Sequence, residues 1–168
     1  YHDRYRLAVL DELLYFDDGQ ILDEVYVYGS FLQSKMHAAG VVCSDCHDAH
    51  SGELRAEGNP LCTRCHKADV YDEPTHHFHD PGTEGSLCTD CHMPERTYMV
   101  LDDRGDHRFG LPLPAISAAV GAPDVCTDCH RGKSAQWAEH HIDKHFDKRS
   151  GHAFAETFHA AREQRPEG

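Results

Sequence analysis

Four copies of the pattern Cys-x-x-Cys-His account for every cysteine in this chain of 168 residues. The cysteine pairs are Cys43/Cys46, Cys62/Cys65, Cys88/Cys91 and Cys126/Cys129, and the histidines that follow them are His47, His66, His92 and His130. This spacing is typical of covalent haem c attachment, in which two thiols bond one porphyrin edge and the adjacent histidine is the proximal ligand of the iron. The sequence therefore predicts four covalently bound haems c.

Zinc is the main competing interpretation, because paired Cys-x-x-Cys units also build ribbon sites. A zinc ribbon needs only the cysteines, so a histidine after each pair would be a coincidence. With 16 histidines among 168 residues, four such coincidences would occur about once in ten thousand. Disulfides are disfavoured too, because the two cysteines of each motif are too close in sequence to link distant parts of a fold.

The composition is poor in apolar material for a packed core. Hydrophobic residues make up 39% of the chain, and the mean hydropathy is -0.64. Four porphyrins would supply the missing apolar surface, so we predict a haem core wrapped by a thin layer of polypeptide. The apo-chain should fold poorly or not at all, as small metal domains do without their metal.

The formal net charge of -13 disfavours binding to nucleic acid or to an anionic membrane surface. A redox protein, or a neighbouring copy of the chain itself, is the more plausible partner. No apolar run approaches the length of a membrane span, and no secretion signal is present. Since haem is typically attached to this motif outside the cytoplasmic membrane, we expect an extracytoplasmic location, periplasmic or extracellular. A removed signal, or an excised fragment, is then implied.

Periodicity predicts helices on both sides of the haem region. An apolar stripe of leucines ends at Asp17-Asp18-Gly19, and a short helix is expected over 30–39. Two further helices are expected over 134–146 and 153–165. The predicted fold is mostly coil with short α-helices wrapped around haems and little or no β-sheet. The predicted organisation is an N-terminal helical segment at 1–40, a tetrahaem core at 41–133 and a C-terminal helical appendage at 134–168.

A low-spin haem needs a sixth iron ligand, and twelve histidines remain beyond the four proximal ones. Six of them lie close enough to the motifs to be distal ligand candidates: His37, His50, His76, His77, His79 and His107. Each could instead be exposed or bond a haem propionate. Methionine is the lesser alternative as a ligand, from Met36, Met93 or Met99.

Other polar residues keep several interpretations open. His141 and His145 share a helix face, so they could bind a divalent metal, lie in solvent or reach a haem on another subunit. His2 carries the same ambiguity, and the roles of His140, His152 and His159 stay open. Five arginines in the haem region could pair with propionates or form surface salt bridges: Arg55, Arg64, Arg96, Arg104 and Arg108.

Several longer motifs carry a resemblance to a known family. They are Gly-Ser-Phe-Leu-Gln-Ser-Lys-Met-His (29–37), Cys-Ser-Asp-Cys-His-Asp-Ala-His (43–50), Cys-Thr-Asp-Cys-His-Met-Pro (88–94), Thr97-Tyr98-Met99, Asp106-His107 and Lys133-Ser134-Ala135-Gln136-Trp137. Together they resemble multihaem cytochromes c allied to pentahaem nitrite reductases and octahaem cytochromes. The closest group has further haems upstream and a tetratricopeptide-like region downstream. The resemblance implies closely packed bis-histidine haems, with His50, His107 and at least one of His76–His79 as ligands.

The expected function is electron transfer through four low-spin bis-histidine haems, without enzymatic activity. The lysine-ligated Cys-x-x-Cys-Lys motif of pentahaem nitrite reductases is absent, and spare histidines outnumber the vacant coordination positions. An alternative is a subunit of a polymeric extracellular filament with the same chemistry, because head-to-tail contacts that do not close form fibres. A lesser alternative is the electron-feeding fragment of a nitrite- or hydroxylamine-type oxidoreductase.

Overall fold

Short helices joined by turns make up most of the computed structural model, which describes residues 11–98, 100, 102–146 and 153–164. Its helices are α1 (Val27–Phe31), α2 (Lys35–Ala38), α3 (Cys43–Cys46), α4 (Asn59–Thr63), α5 (Ala68–Tyr71), α6 (Pro74–His77), α7 (Cys88–His92), α8 (Pro114–Val120), α9 (Val125–Cys129), α10 (Ala135–His145) and α11 (Ala153–Glu163). One antiparallel hairpin pairs β1 (Glu95–Tyr98) with β2 (Asp102–Gly105). The predicted fold class, coil and short helices with little sheet, is confirmed.

The N-terminal helix predictions are wrong where the structure describes them. Residues 11–18 form turns and a bridge between Tyr15 and Ile21, and Leu13 is 73% exposed. The Asp18 carboxylate accepts a hydrogen bond from the Gln20 backbone N–H, an Asx turn that competes with helix. The helix expected over 30–39 is divided into α1 and α2, because Ser34 caps the second by accepting from the His37 N–H. Residues 1–10 of the leucine stripe lie outside the described part.

The hairpin returns the chain to the first haem motif. Its register pairs Glu95 with Gly105 and Tyr98 with Asp102. The Asp106 N–H then donates to the Pro94 carbonyl at 3.0 Å, which closes the open end of the hairpin. His107 follows directly, so a residue 60 positions after His47 is brought back beside it.

The N-terminal segment packs against this hairpin. Tyr15, Ile21, Val25 and Tyr98 form a small buried cluster. Polar contacts surround it: Arg104 bonds Glu24 at 2.5 Å, and Arg108 donates to the Asp18 carbonyl at 2.7 Å. The segment therefore holds the strands that position His107.

Two C-terminal helices lie close to their predicted positions. Both α10 and α11 contact α8. On α11, His159 bonds the Asp17 carboxylate through Nδ1 at 2.8 Å, and Arg162 pairs with the same carboxylate. The C-terminal helix is thus tied to the N-terminal segment, while the division into three domains stays a prediction. None of the helices in the described ranges combines the length and apolarity needed to cross a membrane.

Candidate haem-binding site

Three of the four haem motifs occupy their own helical turn. Helices α3 and α7 begin at the first cysteine of a motif, and α9 begins one residue before it. Side-chain caps start two of these turns: Asp45 accepts from the Val42 N–H at 2.8 Å, and Asp124 accepts from the Cys126 N–H at 3.2 Å. Residues three apart share a helix face, so each turn presents both thiols to one side.

The second motif departs from this arrangement at Cys65. Helix α4 contains Cys62 but ends two residues before Cys65, so this second attachment cysteine lies in a turn and not on a helix. The Cys65 N–H donates to the Cys62 carbonyl at 3.2 Å, a contact three residues back that tightens the end of the helix, and the His66 N–H donates to the same carbonyl at 3.0 Å. The Cys65 thiol is exposed, like those of Cys43 and Cys129. Thioether formation at this cysteine, as at the other seven, stays a prediction.

Successive motifs lie next to one another in chain order. Burial raises the pKa of the Cys46 thiol, helped by the nearby Cys62. Burial also raises the pKa of Cys88 to about 12, and a hydrogen bond joins that thiol to Cys62. Partial burial raises the pKa of the Cys91 thiol, and the nearby Asp90 and Cys129 raise it further. Thiols of motifs one and two, two and three, and three and four are therefore neighbours.

Polar contacts made by side chains inside and outside the motifs hold this order in place. The Asn59 side chain accepts from the Cys88 N–H at 2.8 Å and donates to the Ser86 carbonyl at 2.9 Å, which links the second and third motifs. Arg64 donates to the Asp45 carbonyl at 2.8 Å, and Arg96 pairs with Asp128 at 2.9 Å. All five arginines expected to meet propionates or surface groups contact protein groups here.

Three of the four motif histidines face a second histidine. The ring centres of His47 and His107 are 6.3 Å apart, those of His92 and His76 are 6.2 Å apart, and those of His130 and His79 are 5.9 Å apart. The ring planes differ by 23°, 18° and 30° in the three pairs. Two imidazoles on opposite sides of one iron, each nitrogen about 2 Å from the metal, would put ring centres about 6 Å apart.

Backbone carbonyls orient four of these six rings. The Nδ1–H groups of His47, His92 and His107 donate to the carbonyls of Gly52, Gly110 and Gly105, at 2.8, 2.9 and 2.9 Å. His79 makes the same kind of bond, to the His77 carbonyl. Such a bond fixes the tautomer and leaves Nε2 free for a metal, as in protein metal sites generally. At His76, burial lowers the pKa and favours the neutral imidazole that ligation requires.

A left-handed residue separates His76 from His79. Phe78 has φ 59° and ends α6, so His79 leaves the helix that carries His76. The two imidazoles then face different motifs, His92 and His130 respectively. The Phe78 ring packs on His145 and Phe146 of the C-terminal region, which stabilises this bend.

The other three predicted distal ligands have different surroundings in the described structure. His37 packs edge-on against Phe31, His77 lies beside His79, and His50 is exposed on a turn organised by Asp48. Two aromatic contacts were not predicted from the sequence. The ring centres of Trp137 and His130 are 5.1 Å apart, and the Tyr71 ring contacts both His66 and His76. Their signal in the sequence is an aromatic residue five to seven positions after a motif histidine.

The residues present fit haem better than zinc. Among the described residues, no group of three or more His, Cys, Asp or Glu side chains is arranged to hold a metal ion by itself. Val42 and Leu87, each directly before a first cysteine, are 52% and 43% exposed. Leu54 and Val70 are similarly exposed near the first two motifs. Apolar side chains beside paired imidazoles and thiols suit a flat apolar macrocycle with a central iron.

The Gly85→Ala substitution is expected to disturb the fourth haem. Gly85 has φ +85°, and a Cβ there would lie 2.7 Å from the His79 ring. Gly82→Ala is the matched control, because Gly82 has φ +78° and nothing within 4 Å of an added Cβ. Both variants carry the same backbone cost, about 1 kcal/mol, so a difference between them reports on His79. We expect Gly85→Ala, and not Gly82→Ala, to convert one haem to high spin in electron paramagnetic resonance; equal spectra would contradict this role of His79.

Comparison with known proteins locates the chain among multihaem cytochromes. The family model described as Cytochrome c552 matches residues 69–164, and a doubled CXXCH motif model matches residues 36–71. The crystal structure of the outer cell wall cytochrome OcwA is similar, with a TM-score of 0.52 and 19% identity over 78% of this chain. The chain spans 40% of the length of that structure, and the likeness shows the fold alone. No curated protein matches the chain.

One expectation is overturned by these matches. The sequence led us to expect a protein without enzymatic activity. The cytochrome c552 family is a nitrite reductase family, so that expectation is wrong. The absent Cys-x-x-Cys-Lys motif misled the inference, because it was taken as a requirement for catalysis.

Proposed function

Since this chain belongs to the cytochrome c552 family, we propose that it relays electrons through four haems c within a reductase of the nitrite-reducing type. It is a multihaem c-type cytochrome, and electron transfer follows from that chemistry. Each bound haem supplies an iron that alternates between the ferric and ferrous states. The protein contributes attachment, ligand orientation and spacing.

The observation that carries the proposal is the set of three histidine pairs. We assign His107, His76 and His79 as distal ligands of the irons held by His47, His92 and His130. Ring separations of 5.9–6.3 Å support bis-imidazole ligation, and so do the Nδ1 bonds to backbone carbonyls. Neutral paired imidazoles favour low-spin iron, which suits fast electron transfer.

The proposed relay runs in chain order. Thiols of consecutive motifs are neighbours, so consecutive porphyrins would be attached at adjacent points. An electron entering at the first or the fourth haem would then pass each of the others in turn. The partner proteins at the two ends are redox proteins of complementary charge, since the chain is strongly acidic.

The cellular location and the assembly state of the protein are also part of the proposal. Haem attachment to these motifs supports a periplasmic or extracellular protein. The closer kinship to tetratricopeptide-containing cytochromes and the assembly into a filament stay predictions from the sequence. Electron microscopy of the native protein would separate filaments from discrete particles.

Mass spectrometry of the purified holoprotein tests the proposal first. We expect the mass of the polypeptide plus four haems, and the Cys126→Ala/Cys129→Ala variant should carry three. Reduced protein should then be reoxidised by nitrite, whereas fumarate, which is not a nitrogen oxyanion, should leave it reduced. Fewer than four haems, or no reoxidation by nitrite, would contradict the respective part of the proposal.

A further inference from the structure

The Tyr71 side chain joins the second haem motif to the third. Its ring centre lies 5.7 Å from that of His66 and 5.4 Å from that of His76, with interplanar angles of 83° and 87°. Both contacts are edge-to-face, an arrangement that aromatic rings favour at separations of about 4.5–7 Å. Since His76 faces His92 of the third motif, Tyr71 contacts the histidine of one motif and the assigned distal ligand of the next.

The two imidazoles that Tyr71 contacts are not oriented by hydrogen bonds. Four other ring groups in the site bond backbone carbonyls, but the side chains of His66 and His76 make no hydrogen bond with a described residue. In the described part of the chain, Tyr71 is the one ring that packs on His66, while His76 also meets Phe146 at 5.6 Å and 81°. Aromatic packing thus takes the place of the carbonyl bond at these two positions.

The backbone around Tyr71 is tied to both motifs. Helix α5 follows the second motif, and the Tyr71 N–H donates to the carbonyl of its N-cap residue, Lys67, at 3.0 Å. The next residue, Asp72, accepts a hydrogen bond from the Asn59 side chain at 2.6 Å. The same Asn59 side chain accepts from the Cys88 N–H of the third motif at 2.8 Å. The Tyr71 ring is therefore held in a fixed position relative to both motifs.

We propose that Tyr71 is a positioning residue of the relay, whose ring fixes the imidazole planes of His66 and His76 and so couples the ligation of two consecutive haems. The proposal rests on the proposed function, in which these two histidines ligate the second and the third iron. The orientation of an imidazole plane sets how its π orbitals overlap the iron d orbitals. It therefore influences the magnetic signature and the reduction potential of the haem. The Tyr71 hydroxyl bonds no described residue, so this role belongs to the ring and not to the oxygen.

Electron paramagnetic resonance of the ferric holoprotein tests this role without relying on turnover. Tyr71→Ala should shift the g-values of two of the four haems, and Tyr71→Phe, which keeps the ring, should reproduce the unsubstituted spectrum. The two signals are assigned with Cys62→Ala/Cys65→Ala and Cys88→Ala/Cys91→Ala, each of which lacks one of them. If these variants do not fold, the number of shifted haems in Tyr71→Ala and Tyr71→Phe still decides. An unchanged spectrum in Tyr71→Ala, or a shift confined to one haem, overturns the inference, while a low-spin third haem in the unsubstituted protein leaves the proposed ligation intact.

Phe146→Ala is the matched control for Tyr71→Ala. Phe146 packs on His76 as Tyr71 does, but it has no ring contact with His66 in the described structure. In a redox titration, Tyr71→Ala should therefore change the reduction potentials of the second and third haems together, and Phe146→Ala should leave that of the second haem unchanged. If Phe146→Ala moved the second haem as far as Tyr71→Ala does, the effect would be a general loosening of the fold, and the role of Tyr71 would be refuted.

Discussion

A chain that cannot attach haem is expected to lose its cooperative fold. Alanine at all eight cysteines prevents every thioether bond while leaving the rest of the sequence unchanged. We expect this variant to show no cooperative thermal transition in circular dichroism and an expanded radius of gyration in small-angle scattering. Holoprotein prepared in parallel should be compact and unfold in a defined transition.

The reason is the small amount of apolar surface that the polypeptide buries by itself. Eight hydrophobic residues are buried among those described, and four of them form the cluster around Tyr15. Fixing the backbone costs about 1–2 kcal/mol of conformational entropy per residue, and burying one large side chain returns about 1.5–3 kcal/mol. Porphyrins packed against Val42, Leu87 and similar exposed side chains would supply most of the missing burial.

A variant that lacks a single motif separates this effect from simple local damage. Cys126→Ala/Cys129→Ala removes the haem attached to α9 and leaves three others. We expect it to retain a cooperative transition at a lower temperature. A haem-free chain that unfolds as cooperatively as the holoprotein would show that the polypeptide core is sufficient.

The sequence predicted what is decided locally. Cysteine spacing identified the haem motifs because the thioether chemistry needs only adjacent residues. Helical periodicity located α10 and α11 within a few residues of their bounds. The leucine stripe failed over residues 11–18, because the Asp18 side chain favours a turn and Leu13 faces solvent.

The pairing of histidines depends on long-range geometry that periodicity does not report. The sequence identified six candidate distal ligands but not which motif histidine each one faces. That pairing depends on the hairpin, which brings His107 to the first motif, and on the left-handed conformation of Phe78. Gly85 and Tyr71 gave no signal beyond their proximity to a motif. Their importance arises from contacts with His79 and His66 in the folded chain.

The His107→Ala substitution is expected to open the first haem. Its ring faces His47 at 6.3 Å, and its Nδ1–H is held by the Gly105 carbonyl at 2.9 Å. Alanine removes the distal imidazole without changing the attachment cysteines. We expect the first haem to become high spin in this variant. Relative to the unsubstituted protein, it should give a new high-spin signal in electron paramagnetic resonance, and the ferrous protein should bind one more equivalent of carbon monoxide.

Added imidazole should reverse this change, because a free ligand can occupy the position vacated by the side chain. His107→Met should instead remain low spin and raise the reduction potential of that haem, as histidine–methionine ligation does in other cytochromes c. Together the two variants distinguish loss of a ligand from a general loss of structure, which imidazole would not repair.

His50→Ala is the matched control for His107→Ala. Both histidines are implied as ligands by the resemblance to multihaem cytochromes, and both lie near the first motif. His50 is exposed and makes no ring contact with a motif histidine in the described structure, so its removal should leave the spin states unchanged. If His50→Ala opened the first haem and His107→Ala did not, the assignment of the distal ligand would be reversed. The hairpin would then serve to close the N-terminal cluster and not to ligate iron.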